Sequence, residues 1–255
     1  MTSALTFAAI AVTVLVTSFI SGVLGMAGGM ILMAVLLALL PLPAAMLLHG
    51  ITQLASNGWR AWLWRAHIDV RIFKGYALGS LGALALFTAV QLVVSKPVAY
   101  ILLGLTPFVS LVLPERLHLN VDRPQQPALC GFICTAVQLM AGVSGPLLDV
   151  FFVRSRLDRK GVVATKAITQ SFGHAVKILY FGGVTIWLGV ATRADLAQSL
   201  SLVLAATCVL LAFTGTTASR RVLERMSDAD FRQWTQATLM VLGVANLATG
   251  LWLLR

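Results

Sequence analysis

Apolar residues fall into about ten blocks along the chain, near 4–24, 28–40, 44–64, 73–94, 98–113, 128–141, 146–153, 164–183, 195–217 and 234–254. A helix needs roughly 20 residues to cross a bilayer at 1.5 Å rise per residue, and most blocks approach that length. The second and seventh do not. Residues 146–153 would reach only about 12 Å as a helix. Pieces this short are expected to be half-helices or re-entrant segments, which are tolerated at membrane depth only where protein or a wet cavity lines them.

Polar residues interrupt these blocks twice in the same way. Residues 51–57 read ITQLASN and residues 168–174 read ITQSFGH, 117 positions apart. The same offset, carried upstream without a gap, lays Gly25, Gly28 and Gly29 over Gly142, Gly145 and Pro146; downstream it lays Arg60 over Lys177. The pattern predicts two copies, 1–113 and 128–255, joined by the Pro-rich stretch 114–127. Five segments per copy is an odd number, so the second copy enters the membrane from the opposite side. The expected fold is an all-α membrane protein of about ten spanning or half-spanning helices in two inverted repeats, each carrying a glycine-broken short helix.

Composition agrees with a lipid environment. The chain is 58% hydrophobic and 11% charged, outside the range of soluble domains. Its net charge of +10 is therefore read as a cytoplasmic loop bias rather than a nucleic-acid surface. With the N-terminus outside, cytoplasmic loops hold fourteen of the nineteen Lys and Arg residues, and outside loops and the C-terminus hold three: Lys96, Arg193 and Arg255. This places both termini on the non-cytoplasmic side. Residues 4–24 lack a preceding basic region and are read as a retained first span. Cys130, Cys134 and Cys208 are expected to be small packing residues, not a disulfide framework or a metal site.

Within the polar blocks, Thr52, Gln53, Ser56, Asn57 and Arg60 form one stripe of a helix, and Thr169, Gln170, His174 and Lys177 repeat it. A cation within a span is costly, so Arg60 and Lys177 are expected to face the interior and to meet an anion from opposite sides of the midplane. The breaks at Gly25, Gly28, Gly29 and at Gly142, Ser144, Gly145 would add backbone N–H groups and positive helix ends. Asp149 is the one acid expected within the membrane, either a proton carrier beside His174 or a fixed partner for Lys177. His49, His67 and His118 read as interface or loop residues. No cofactor is expected.

The glycine-broken first segment, the ITQ-type stripe and the doubled architecture together resemble the TauE/SafE sulfite exporter family over nearly the whole chain. That resemblance implies a bacterial inner-membrane permease for sulfite, a sulfonate or another small organic anion. Oligomeric state, substrate and direction of transport stay open. Two rival readings share some features: an anion channel, and a rhomboid-like intramembrane serine protease using Ser144 and His174, for which Gly142-Val143-Ser144-Gly145 supplies the motif.

Overall fold

The computed structural model describes residues 3–24, 27–112, 119–189, 191–223 and 228–255. Among them the chain is helical, without a strand. The elements are α1 (Ala4–Leu24), α2 (Ala27–Leu39), α3 (Leu42–Leu63), a 3-10 turn (Arg65–His67), α4 (Val70–Val90), α5 (Lys96–Val112), α6 (Gln126–Ala141), α7 (Gly145–Phe152) and α8 (Arg159–Leu179). A π turn (Tyr180–Val184) leads into the single turn α9 (Thr185–Trp187), followed by α10 (Arg193–Ser199), α11 (Leu202–Leu223) and α12 (Asp228–Trp252).

Among the described residues, three helices are long and apolar enough to cross a membrane by length and composition: Ala4–Leu24, Val70–Val90 and Leu202–Ser219. Helices α3 and α8 have the length, but the polar stripe that each carries lowers its hydropathy. The outer helices present large apolar side chains outward, among them Leu5 (81% exposed), Leu78, Leu202 (87%), Val241 and Trp252. Apolar exposure on this scale marks a surface whose solvent is lipid.

Local chemistry sets the helix ends. Asp69 caps α4 by accepting from Ile72 N–H at 2.9 Å, and Asp158 caps α8 by accepting from Gly161 N–H at 2.8 Å. These caps start both helices before the expected positions 73 and 164. The expected segment 195–217 is broken: Ser201 accepts from Leu204 N–H at 3.1 Å and starts α11 afresh after α10 ends. Part of the expected linker is docked. Val121 N–H donates to Phe151 O, Asn120 Nδ2 donates to Arg154 O, and α6 already begins at Gln126.

Helix α2 lies at the centre, with Met30, Met33, Leu36 and Leu37 fully buried. Around it α1 packs on α11, α4 on α6, α5 on α12 and α3 on α8. The α4–α6 contact is close enough that a β-carbon at Gly131 would lie 2.0 Å from Tyr76 O. Cys130 and Cys134 lie buried in this region, their Sγ atoms 3.9 Å apart, among Ile72, Tyr76, Phe151 and Phe152.

Gly131→Ala must therefore push α4 and α6 apart. We expect a loss of about 1–3 kcal/mol, the usual cost of overpacking, read as a lower Tm of the purified protein in detergent. Gly82→Ala, also on α4, would place its β-carbon 3.6 Å from Phe132 Cδ2, an ordinary contact. It should leave Tm unchanged or raise it, since Ala is the better helix former by about 1 kcal/mol.

Candidate functional site

Helices α3 and α8 run against each other, so their two polar stripes meet. Between them and the ends of α1, α2, α6 and α7 lies a cavity with about 30 Å³ open to the centres of water molecules. A single water needs about 10–15 Å³ on such a measure, so the space suits a solute of a few atoms.

Of the residues predicted from sequence, Gly29, Gln53, Asn57 and Arg60 line the cavity from the first half of the chain. Ser144, Gly145, Gln170 and His174 line it from the second. The others lie nearby or elsewhere. Thr52 is buried and donates to Leu48 O; Thr169 donates to Lys166 O. Gly28 packs against α1, where a β-carbon would lie 2.1 Å from Thr17 O. Gly25 lies outside the described residues.

Arg60 is half-buried, and its partners are neutral. It donates to Asn57 Oδ1 at 3.4 Å and to the Ser21 carbonyl at 3.3 Å, both long hydrogen bonds. Asn57 is steadied by donating from Nδ2 to Gln53 O at 3.0 Å. Gly29 leaves room for Gln53: a β-carbon there would lie 2.5 Å from its Nε2. The guanidinium thus stands at the cavity with weak local partners and, among the described residues, no acid bound to it.

Lys177 behaves differently. It is fully buried, donates from Nζ to Gly142 O at 2.9 Å and lies 2.7 Å from His49 Nδ1. His49 is also buried, and its Nε2 lies 3.0 Å from Gly29 O. An ammonium can only donate and a carbonyl can only accept. Nε2 therefore donates to Gly29 O, and opposite an ammonium at Lys177 the Nδ1 of His49 accepts, which keeps the ring neutral. The chain Gly29 O, His49, Lys177, Gly142 O joins both glycine breaks through one buried cation. Gly142 itself has φ +82° as the C-cap of α6, a conformation suited to glycine.

Three expectations are corrected here. His49 is neither an interface nor a loop residue: it sits in the middle of α3, lines the cavity and bridges to α8. Asp149 does not pair with Lys177. It forms an ion pair with Lys166, with its side chain 46% exposed, outside the cavity lining. Lys166 is not a loop residue but lies in the second turn of α8, a third basic residue within the helices of the site. His67, as expected, lies in an exposed turn; His118 falls outside the described residues.

Sequence reasoning also missed Ser21 and Gln138, which line the cavity from α1 and α6. They stand 117 residues apart, the offset of the two copies, and this was the available signal. Gln138 lies between the two residues of the proposed protease pair. Ser144 Oγ donates to its Oε1 at 3.0 Å, and its Nε2 lies 3.1 Å from His174 Nδ1. The serine hydroxyl is thus spent on an amide rather than aligned with an imidazole base.

The arrangement offers one loosely held guanidinium among amide, hydroxyl and imidazole groups in a space of a few atoms. That is chemistry for holding a small anion. Comparison with curated proteins and with solved structures returned no match. The family model for sulfite exporter TauE/SafE matches residues 9–246 of the 255. The chain therefore belongs to the TauE/SafE family, which is a family of membrane transporters and not of enzymes.

Proposed function

We propose that this protein is a secondary carrier that moves sulfite, a sulfonate or another small anion across the bacterial inner membrane by alternating access. The observation that carries this reading is Arg60, a cation facing the cavity whose two hydrogen-bond partners are neutral. A planar guanidinium holds a sulfite or sulfonate group by two parallel hydrogen bonds. Gln53, Gln170, Ser144 and His174 supply neutral polar contacts around it. His174 is the residue we assign to proton coupling, because it lines the cavity while Asp149 does not.

Alternating access in this reading rests on two inverted repeats, 1–113 and 128–255, with 114–127 between them. Exchanging the copies turns the α1–α11 contact into α6–α4, and returns α3–α8 and α5–α12 to themselves, which is the pairing found. The cavity lining follows the same offset: Ser21 with Gln138, Gln53 with Gln170, Asn57 with His174. Carriers built on such repeats bind substrate at the repeat interface.

The anion reading makes a direct prediction. Arg60→Gln removes a charge-assisted hydrogen bond of about 1.5–3 kcal/mol, so sulfite binding by the purified protein should weaken about ten- to hundredfold with Tm unchanged. Concentrative uptake of sulfite into proteoliposomes should fall with it. Unchanged binding would remove Arg60 from the site, and flux that never exceeds the gradient would make the protein a channel.

Orientation is checked separately. The native cysteines are buried, so a cysteine placed at exposed Arg65 or Arg255 reports on its own side. In intact spheroplasts a membrane-impermeant maleimide should label Arg255→Cys, and should reach Arg65→Cys only after permeabilisation. The opposite result would invert the topology.

A further inference from the structure

Two histidines line the cavity, their ring centroids 5.5 Å apart, and their hydrogen-bond partners give them different freedom. His49 is held between a donor, Lys177 Nζ, and an acceptor, Gly29 O. Adding a proton to its Nδ1 would set two donors against each other 2.7 Å apart. His174 instead makes its hydrogen bond through Nδ1 to Gln138, whose side chain is both a donor and an acceptor.

We infer that Gln138 is the positioning residue that sets the protonation state of His174, with Ser144 completing a reversible relay. In one setting Gln138 Nε2 donates to His174 Nδ1 and Gln138 Oε1 accepts from the Ser144 hydroxyl, at 3.1 and 3.0 Å. The imidazole is then neutral and presents Nε2–H as a donor. In the other setting the amide turns over. Oε1 accepts from a protonated Nδ1, Nε2 donates to Ser144 Oγ, and the hydroxyl reverses its role. No hydrogen bond is lost between the two settings, because amide and hydroxyl can each both donate and accept. A proton gained by His174 thus needs no new partner.

The surroundings support the placement of this relay. Gln138 and Ser144 are buried, so their mutual hydrogen bond and the one to His174 are made away from bulk water. Residue 173 is a glycine, whose β-carbon would lie 3.2 Å from both Gln138 Oε1 and the Tyr76 hydroxyl oxygen. The titratable and charged groups facing this part of the cavity are His49 and Arg60 on α3, Tyr76 on α4 with Cys134 on α6 behind it, and Lys177 one turn along α8. Asp149 of α7 is occupied by Lys166. Of the groups around the cavity, His174 alone has a partner able to accept either protonation state.

This inference rests on the transporter reading only for its use in coupling; the relay itself is read independently. The full chain, labelled with ¹⁵N-histidine in nanodiscs, would be titrated by NMR, with His174→Gln and His49→Gln to assign the signals. Near neutral pH, His174 and His49 should both show a proton on Nε2, and on acidification His174 should gain a second proton while His49 does not. Gln138→Glu places a carboxylate against Nδ1 and should raise the pH of that titration, and the pH profile of sulfite flux, by about 1–3 units. Gln138→Leu should remove the tautomer preference, so that Nδ1–H appears. Ser144→Ala, a smaller change, should weaken the preference in the same direction.

A proton on His174 Nδ1 in the native neutral protein would overturn the relay. So would an unmoved titration in folded Gln138→Glu. If the titrations follow expectation but sulfite binding is indifferent to Arg60→Gln, the relay stands and the anion reading falls.

Discussion

The structure is organised around a buried lysine that has no acidic partner among the described residues. Lys177 is fully enclosed, and its ammonium is satisfied by the Gly142 carbonyl and by the lone pair of His49. A charge at the centre of a bilayer costs about 2.5–3.5 kcal/mol even on the gentler scales, and an unpartnered one costs more. The carbonyl that answers it is freed because α6 ends at Gly142, and the second carbonyl in the chain lies in the first turn of α2, at Gly29. Ending α6 at Gly142 and burying the cation are therefore one arrangement. Continuing α6 past Gly142 would take up the carbonyl that makes Lys177 tolerable.

The same constraint separates the roles of the two cations at matching positions. Arg60 and Lys177 stand 117 residues apart, yet one is loosely bound at the cavity and the other is committed to the scaffold. The difference follows from their neighbours. At the position in α3 where His49 receives Lys177, the matching position in α8 is Lys166, which repels Arg60 instead of accepting from it. Lys166 turns to Asp149, itself matched by the apolar Leu32. These few differences between positions 117 residues apart leave Arg60 the more loosely held of the two cations.

Much of this was legible in the sequence, because periodicity and spacing are local properties. The blocks at 4–24 and 28–40 differ from α1 and α2 by no more than a residue at either end, and the doubled polar stripe led to five of the cavity-lining residues, the glycine breaks to three more. What escaped depended on tertiary partners. His49 looked peripheral because it precedes the stripe by one turn, and only the approach of α8 gives it Lys177. Lys166 and Asp149 are seventeen residues apart on different helices, so no helical spacing links them. The break before α11 falls at Ser199-Leu200-Ser201, where single polar residues interrupt the apolar pattern too briefly to mark a helix end, and Ser201 caps the helix that follows. Ser21 and Gln138 were within reach, since the offset that paired the glycines also pairs them.

A transporter has to release what it binds, and the chemistry of the cavity is suited to that. Two free cations facing a solute of a few atoms would hold a small anion tightly, since each charge-assisted contact is worth about 1.5–3 kcal/mol. Binding must instead be favourable enough to enter and weak enough to leave. Here the second cation is withheld by His49 and Gly142, and the remaining contacts are neutral amides, a hydroxyl and an imidazole. Neutral donors contribute less energy but more direction, so they select shape without trapping charge. Within the proposed mechanism, protonation of His174 adds the missing charge only while the anion is to be held. A reversible amide beside it is what allows that charge to be removed again.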